Sequence, residues 1–219
     1  MKQRRLRDSG ADSGGDAGAE APLSAQRGDA LLIVGVQNDF MPGGSRAVSR
    51  GYEVVPVLNF YIERFRARGL PVFAARNWYP ADHRLFREQG GPWPAHCVAG
   101  TAGAHFAPGL DLPHNTEIVS KTGHSSFAGT DLDVRLRALA VRRLFVGGLV
   151  TEHAVYDSVK DALRLGYEAV LLEDATRAMN VRREDGLRAR RELERLGAKL
   201  YHDPVAAPSR FAGHGALHA

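Results

Sequence analysis

The chain of 219 residues contains one cysteine, Cys97, so no disulfide can form within it. That suits a reducing compartment, and a cytoplasmic location is expected. No apolar run approaches the roughly 20 residues needed to cross a bilayer, and no membrane association is expected. Basic residues at the N-terminus have no hydrophobic segment behind them, which argues against a secretory signal. The formal net charge is +4, but basic residues alternate with acids, as in Arg183-Glu184-Asp185 and Arg191-Glu192-Leu193-Glu194-Arg195. Such alternation marks a solvated helix face, so nucleic acid is not expected as a partner.

What is present suffices for one globular domain with a sizeable core, since 44% of the residues are hydrophobic. Residues 1–28 are rich in Gly, Ala, Ser and charge and are expected to form a disordered tail, its basic cluster Lys2 to Arg7 being solubilising. Residues 206–219 read as a second loose tail, leaving a domain over 29–205.

Within the domain, strands and helices alternate. Residues 30–36 are a continuous apolar run, the pattern of a strand buried on both faces. Val54, Leu58, Tyr61, Ile62 and Phe65 recur at helical spacing until Gly69 stops the helix. Further strands are expected over 71–75, 117–120, 144–147, 169–172 and 199–201. Helices are expected over 132–140, from Val155 to Gly166, and over 183–196. This order predicts a three-layer α/β/α sandwich with a mostly parallel sheet. Ligands of such folds bind at the carboxyl ends of the strands. Attention therefore falls on the segments after Val36, Ala75, Ser120 and Gly147. The second, a loop of roughly forty residues, is long enough to suggest a functional role.

Those segments carry five motifs in order: ALLIVGVQNDFMPGGSRAV, NWYPADHRLF, GGPWPAHCVAGTAGAHF, VSKTGHSSFAGTDLD and GGLVTEHAVYDSVKDALRLGYE. Together they resemble the isochorismatase-like hydrolases, most of all the nicotinamidases, over most of residues 30–204. The resemblance implies amide hydrolysis through a thiolate, with an aspartate accepting the cysteine proton, a lysine holding the pair and backbone N–H groups binding the oxyanion. The aspartate position holds Gly35 and the cysteine position Ala154, while the lysine position keeps Lys121. By the same resemblance, Phe40, Trp93, Val150 and Ala154 border the substrate.

The resemblance also implies a divalent metal held by an aspartate and three histidines. Here those positions are Asn77, Tyr79, His83 and His96. A zinc-type site needs at least three good ligands. This remnant is expected to bind metal only weakly, or His83 and His96 simply shape the loop. Cys97 and Asp39 match ordinary residues of the family; Asp39 is read as a loop cap. Glu152 and His153 suggest no new role.

Two readings stay open. The chain is either non-hydrolytic on amides, with small groups at Gly35 and Ala154 enlarging a pocket beside Lys121 for a pyridine or carboxylate ligand, or an active hydrolase with altered chemistry. The second would act on an amide or vinyl ether, nicotinamide-like or isochorismate-like, with Lys121, His83, His96 or the substrate carrying the proton. A homo-oligomer, or pairing with an active relative, is expected of such a fold.

Overall fold

β1 (Asp29–Val34) is buried at every residue, and its alternation sorts the core into two halves. Leu31 and Ile33 face one cluster with Leu58, Tyr61, Phe65 and Phe145. Ala30, Leu32 and Val34 face another with Phe73, Leu136, Val159 and Leu193. The computed structural model describes residues 24–206.

α1 (Val54–Arg66) buries Val54, Val55, Val57, Leu58, Tyr61, Ile62 and Phe65 along one stripe. Each such side chain contributes roughly 1.5–3 kcal/mol relative to exposure. The helix stops at Gly69, whose φ of 63° is left-handed, and Leu70 N–H closes the turn onto the Phe65 carbonyl. β2 (Val72–Asn77), β3 (Glu117–Lys121), α2 (Leu132–Ala138), β4 (Arg143–Leu149), α3 (Tyr156–Arg164), β5 (Glu168–Arg177), α4 (Asp185–Arg195) and β6 (Lys199–Tyr201) complete the order. A π-turn, Thr151–Val155, precedes α3.

The strands pair in parallel in the order β3-β2-β1-β4-β5-β6. α1 covers one face, and α2, α3 and α4 pack over the other. The expected sandwich is therefore present, and its six-stranded sheet is parallel throughout. Between β2 and β3 the long loop has only short 3-10 turns and isolated bridges.

Of the tail expected over 1–28, residues 24–28 are described, and they pack. Ala25 is buried, Gln26 N–H donates to Asp29, and the Ser24 carbonyl accepts from Arg143. At the other end Ala206 is buried. The rest of both tails, with Lys2 to Arg7, lies outside the described residues. Among the described residues no helix is long and apolar enough to cross a membrane.

Candidate functional site

β1 is flanked by β2 on one side and β4 on the other, so the chain reverses its direction of winding there and opens a crevice at the carboxyl ends. Gly35 directly follows β1, and Ala154 sits in the π-turn after β4. Buried polar side chains fix these loops. Gln37 donates to the carbonyls of Asn77 and Ala104 at 2.8 Å each and accepts from Asn77 N–H at 2.7 Å. Asp39 accepts from the backbone N–H of Cys97 at 2.6 Å and of Ser45 at 3.4 Å, tying the first loop to the long one. Glu152 accepts from Met179 and Asn180 N–H. Ser158 of α3 donates to the Ala154 carbonyl at 2.6 Å.

Gly35 has a left-handed φ of 61°. A Cβ built there would lie 2.5 Å from the Leu149 carbonyl oxygen. The backbone of β4 thus packs directly against Gly35, which does not border the neighbouring cavity, so no enlarged pocket floor opens there. The cavity bordered by Ala154, Val150, Phe40, Asn77, Tyr79 and Arg46 measures about 10 Å³, room for about one water.

Lys121 ends β3 directly opposite Asn77 in the sheet register. Its ammonium donates to Asn77 Oδ1 and, at 2.9 Å, to the Gly123 carbonyl. The side chain is buried, and that burial pushes its pKa down to about 7. Cys97 is fully buried in a left-handed conformation. Burial first, then the charge of Asp39, pushes its thiol up to about 12. A thiol held protonated in this way is inert as a nucleophile.

The four metal-position residues lie together, but they do not fit a divalent ion. The Tyr79 ring stands 4.5 Å from the His83 ring, 5.2 Å from His96 and 5.7 Å from Phe86, centroid to centroid. It fills the gap between the two histidines, and burial keeps its phenol protonated, pushed up to about 12. His83 accepts from Leu85 N–H through Nδ1 at 3.4 Å. The His96 Nδ1 bonds the Pro94 carbonyl at 2.8 Å, and burial pushes this ring down to about 4. Asn77 already holds a cation, the Lys121 ammonium. Among the described residues no three His, Cys, Asp or Glu side chains gather as a ligand set.

Phe40, Val150 and Ala154 are buried around the cavity, and Phe40 meets His96 edge-on at 5.9 Å. Trp93 is only half-buried. The guanidinium of Arg46 is centred 3.8 Å over its ring. Arg46, which sequence reasoning passed over, is 8% exposed. Its one signal was to be a long cation inside the otherwise small and apolar PGGSRAV. His124 and His153 also border the cavity, with ring centroids 5.5 Å apart, and His124 lies 3.5 Å from Asp157. The Nε2 of His153 is buried with no hydrogen-bond partner.

Comparison with known proteins places this arrangement. The isochorismatase domain profile matches residues 29–197. The nicotinamidase of Escherichia coli is 35% identical over 199 aligned residues, covering 78% of this chain and 93% of the relative. A "probable inactive nicotinamidase" of Arabidopsis thaliana is 32% identical over 168 residues, covering 69% and 82%. Among solved structures, the pyrazinamidase of Pyrococcus horikoshii in complex with zinc superposes with a TM-score of 0.76 at 41% identity, covering 80% of this chain and 99% of that one.

Proposed function

The chain belongs to the isochorismatase family, and on that premise we propose that it is a nicotinamidase-like member that does not hydrolyse amides and holds a small molecule instead. The observation that carries this reading is the pair Gly35 and Ala154, standing where the family resemblance puts the proton-accepting aspartate and the nucleophilic cysteine. In a well-studied protease, loss of the nucleophile lowers turnover on the order of a million-fold, and losing its partners as well lowers it little further. What then remains is binding and oxyanion stabilisation.

Two further features favour it. Lys121, the remaining member of the triad, is engaged by Asn77 and Gly123. The ring of Tyr79 packs against both His83 and His96, and among the described residues no cluster of three His, Cys, Asp or Glu offers a metal-activated alternative. The small-molecule site consists of the side chains around the small cavity, with Arg46 in its wall.

Ammonia release from nicotinamide by the purified protein tests the reading. No release above background is expected. Turnover within tenfold of an ordinary enzyme, about 10 per second, overturns it.

A second reading, an active hydrolase of altered chemistry, draws on one observation. Lys121, with its pKa pushed down to about 7, is able to exchange a proton near neutrality. A panel of amides and vinyl ethers against wild type and Lys121→Ala decides it. Activity that disappears with the lysine supports it, and silence throughout removes it.

A further inference from the structure

Two spaces meet at His153. The closed cavity of about 10 Å³ has Ala154 and Arg46 in its wall. An open groove of about 500 Å³ runs past Trp93, His153, Tyr156, Val181 and Arg182. His153 borders both, and Arg46 lies in the wall of one while stacked on the tryptophan of the other. Arg46, Trp93 and His153 are therefore the partition between groove and cavity.

The partition carries a charge that the Glu152 carboxylate favours only from beyond contact distance. Arg46 is nine-tenths buried, yet among the described residues the one hydrogen bond of its guanidinium is to the Met179 sulfur at 3.5 Å, a weak acceptor. Among the described residues no carboxylate lies within ion-pair distance of it. The acids of the groove are engaged elsewhere. Glu152 accepts two backbone N–H groups, Asp185 is held by Arg188, and Glu192 by Arg195. Stacking on Trp93 compensates a buried guanidinium only in part. Arg182, beside the groove, also has no ion pair among the described residues. Nearby, the buried Nε2 of His153 has no partner.

We propose that Arg46 makes this site selective for small planar anions, aromatic carboxylates in particular. Such a ligand enters from the groove, takes the guanidinium's place against the Trp93 face, and pairs its carboxylate with the displaced guanidinium. Arg and carboxylate match as planar, two-pronged partners. A neutral amide of the same shape gives Arg46 no counter-charge, so it does not compensate the loss of stacking. The inference rests on the proposed small-molecule site and names its ligand class.

Calorimetric titration of the full chain with benzoate and benzamide, and with nicotinate and nicotinamide, tests it. In the wild type each carboxylate is expected to bind at least about tenfold tighter than its amide. Arg46→Leu and Arg46→Gln, each checked for folding by its thermal transition, are expected to remove that preference by weakening the carboxylate at least about tenfold. Equal affinity for acid and amide in the wild type overturns the proposal. So does carboxylate binding unchanged in both variants, or no binding of any probe to the wild type. Ammonia release measured on the same samples separates the two claims. Turnover of nicotinamide overturns the non-hydrolytic reading, whereas equal acid and amide binding without turnover overturns only the anion selectivity.

Discussion

Lys121 and Asn77 stand side by side at the ends of β3 and β2, and the lysine ammonium donates to the asparagine side-chain oxygen. The lysine thus meets a neutral amide where a carboxylate would have matched its charge, and burial pushes its pKa from 10.5 down to about 7. Between those values the unfolded chain binds a proton that the folded chain does not. Stability therefore rises with pH across that window, and the contribution is lost as pH falls to 7. Denaturant unfolding at pH 7 and pH 9 is expected to show a gain of about 2 kcal/mol at the higher pH. The gain should disappear in Lys121→Met; an equal gain in that variant contradicts the assignment.

Gly35 should resist replacement. Its left-handed φ and the Leu149 carbonyl, 2.5 Å from any added Cβ, predict that Gly35→Ala loses roughly 2 kcal/mol or more. Gly35→Asp should lose at least as much. Urea unfolding midpoints measure both, and a neutral Gly35→Ala would mean that β4 moves aside freely.

Zinc should leave the protein indifferent. With Tyr79 between the histidines and Lys121 on Asn77, added zinc is expected to give no change in the thermal midpoint of the wild type. A rise with zinc concentration would show that Tyr79 yields its place. Because Tyr79 is 1% exposed, Tyr79→Ala should instead lose about 3–5 kcal/mol, as large buried rings do when truncated.

Acid should weaken the fold through His96. Burial pushes this histidine from 6.5 down to about 4, so the unfolded chain takes up a proton that the folded chain refuses, and stability falls with pH through that interval. Going from pH 6.5 to pH 4.5, wild type is expected to lose about 2 kcal/mol more than His96→Gln. Parallel losses in the two proteins would place the acid sensitivity in other groups.

The sequence shows the order of strands and helices because apolar periodicity is a local signal. The strand over 199–201 lies where the pattern puts it. β1 ends at Val34, two residues short of the apolar run, because Gly35 turns left-handed. β5 extends five residues beyond its expected end at Leu172. Glu173 and Asp174 do not read as strand, but the Tyr61 hydroxyl donates to Asp174 across the core, which makes a charged residue tolerable there. The motifs place Gly35 after β1 and Ala154 after β4, where the structure also has them. Arg46 over Trp93 was not legible, since contact between distant loops has no period. Nor was Tyr79 as the filler of a gap, because only the packing reveals which ring lies between which partners.

Asp39 and Gln37 each join segments far apart in the chain, Asp39 reaching Cys97 and Gln37 reaching Asn77 and Ala104. With the backbone bonds Asn38 N–H to His105 and Ala107 N–H to Val36, these contacts anchor the long loop between β2 and β3 to the end of β1. A chain of this fold must therefore spell out much of the loop signature whatever its chemistry, because those letters encode the assembly of the crevice. Within this fold, likeness in the loop after β1 is a record of architecture before it is a record of chemistry.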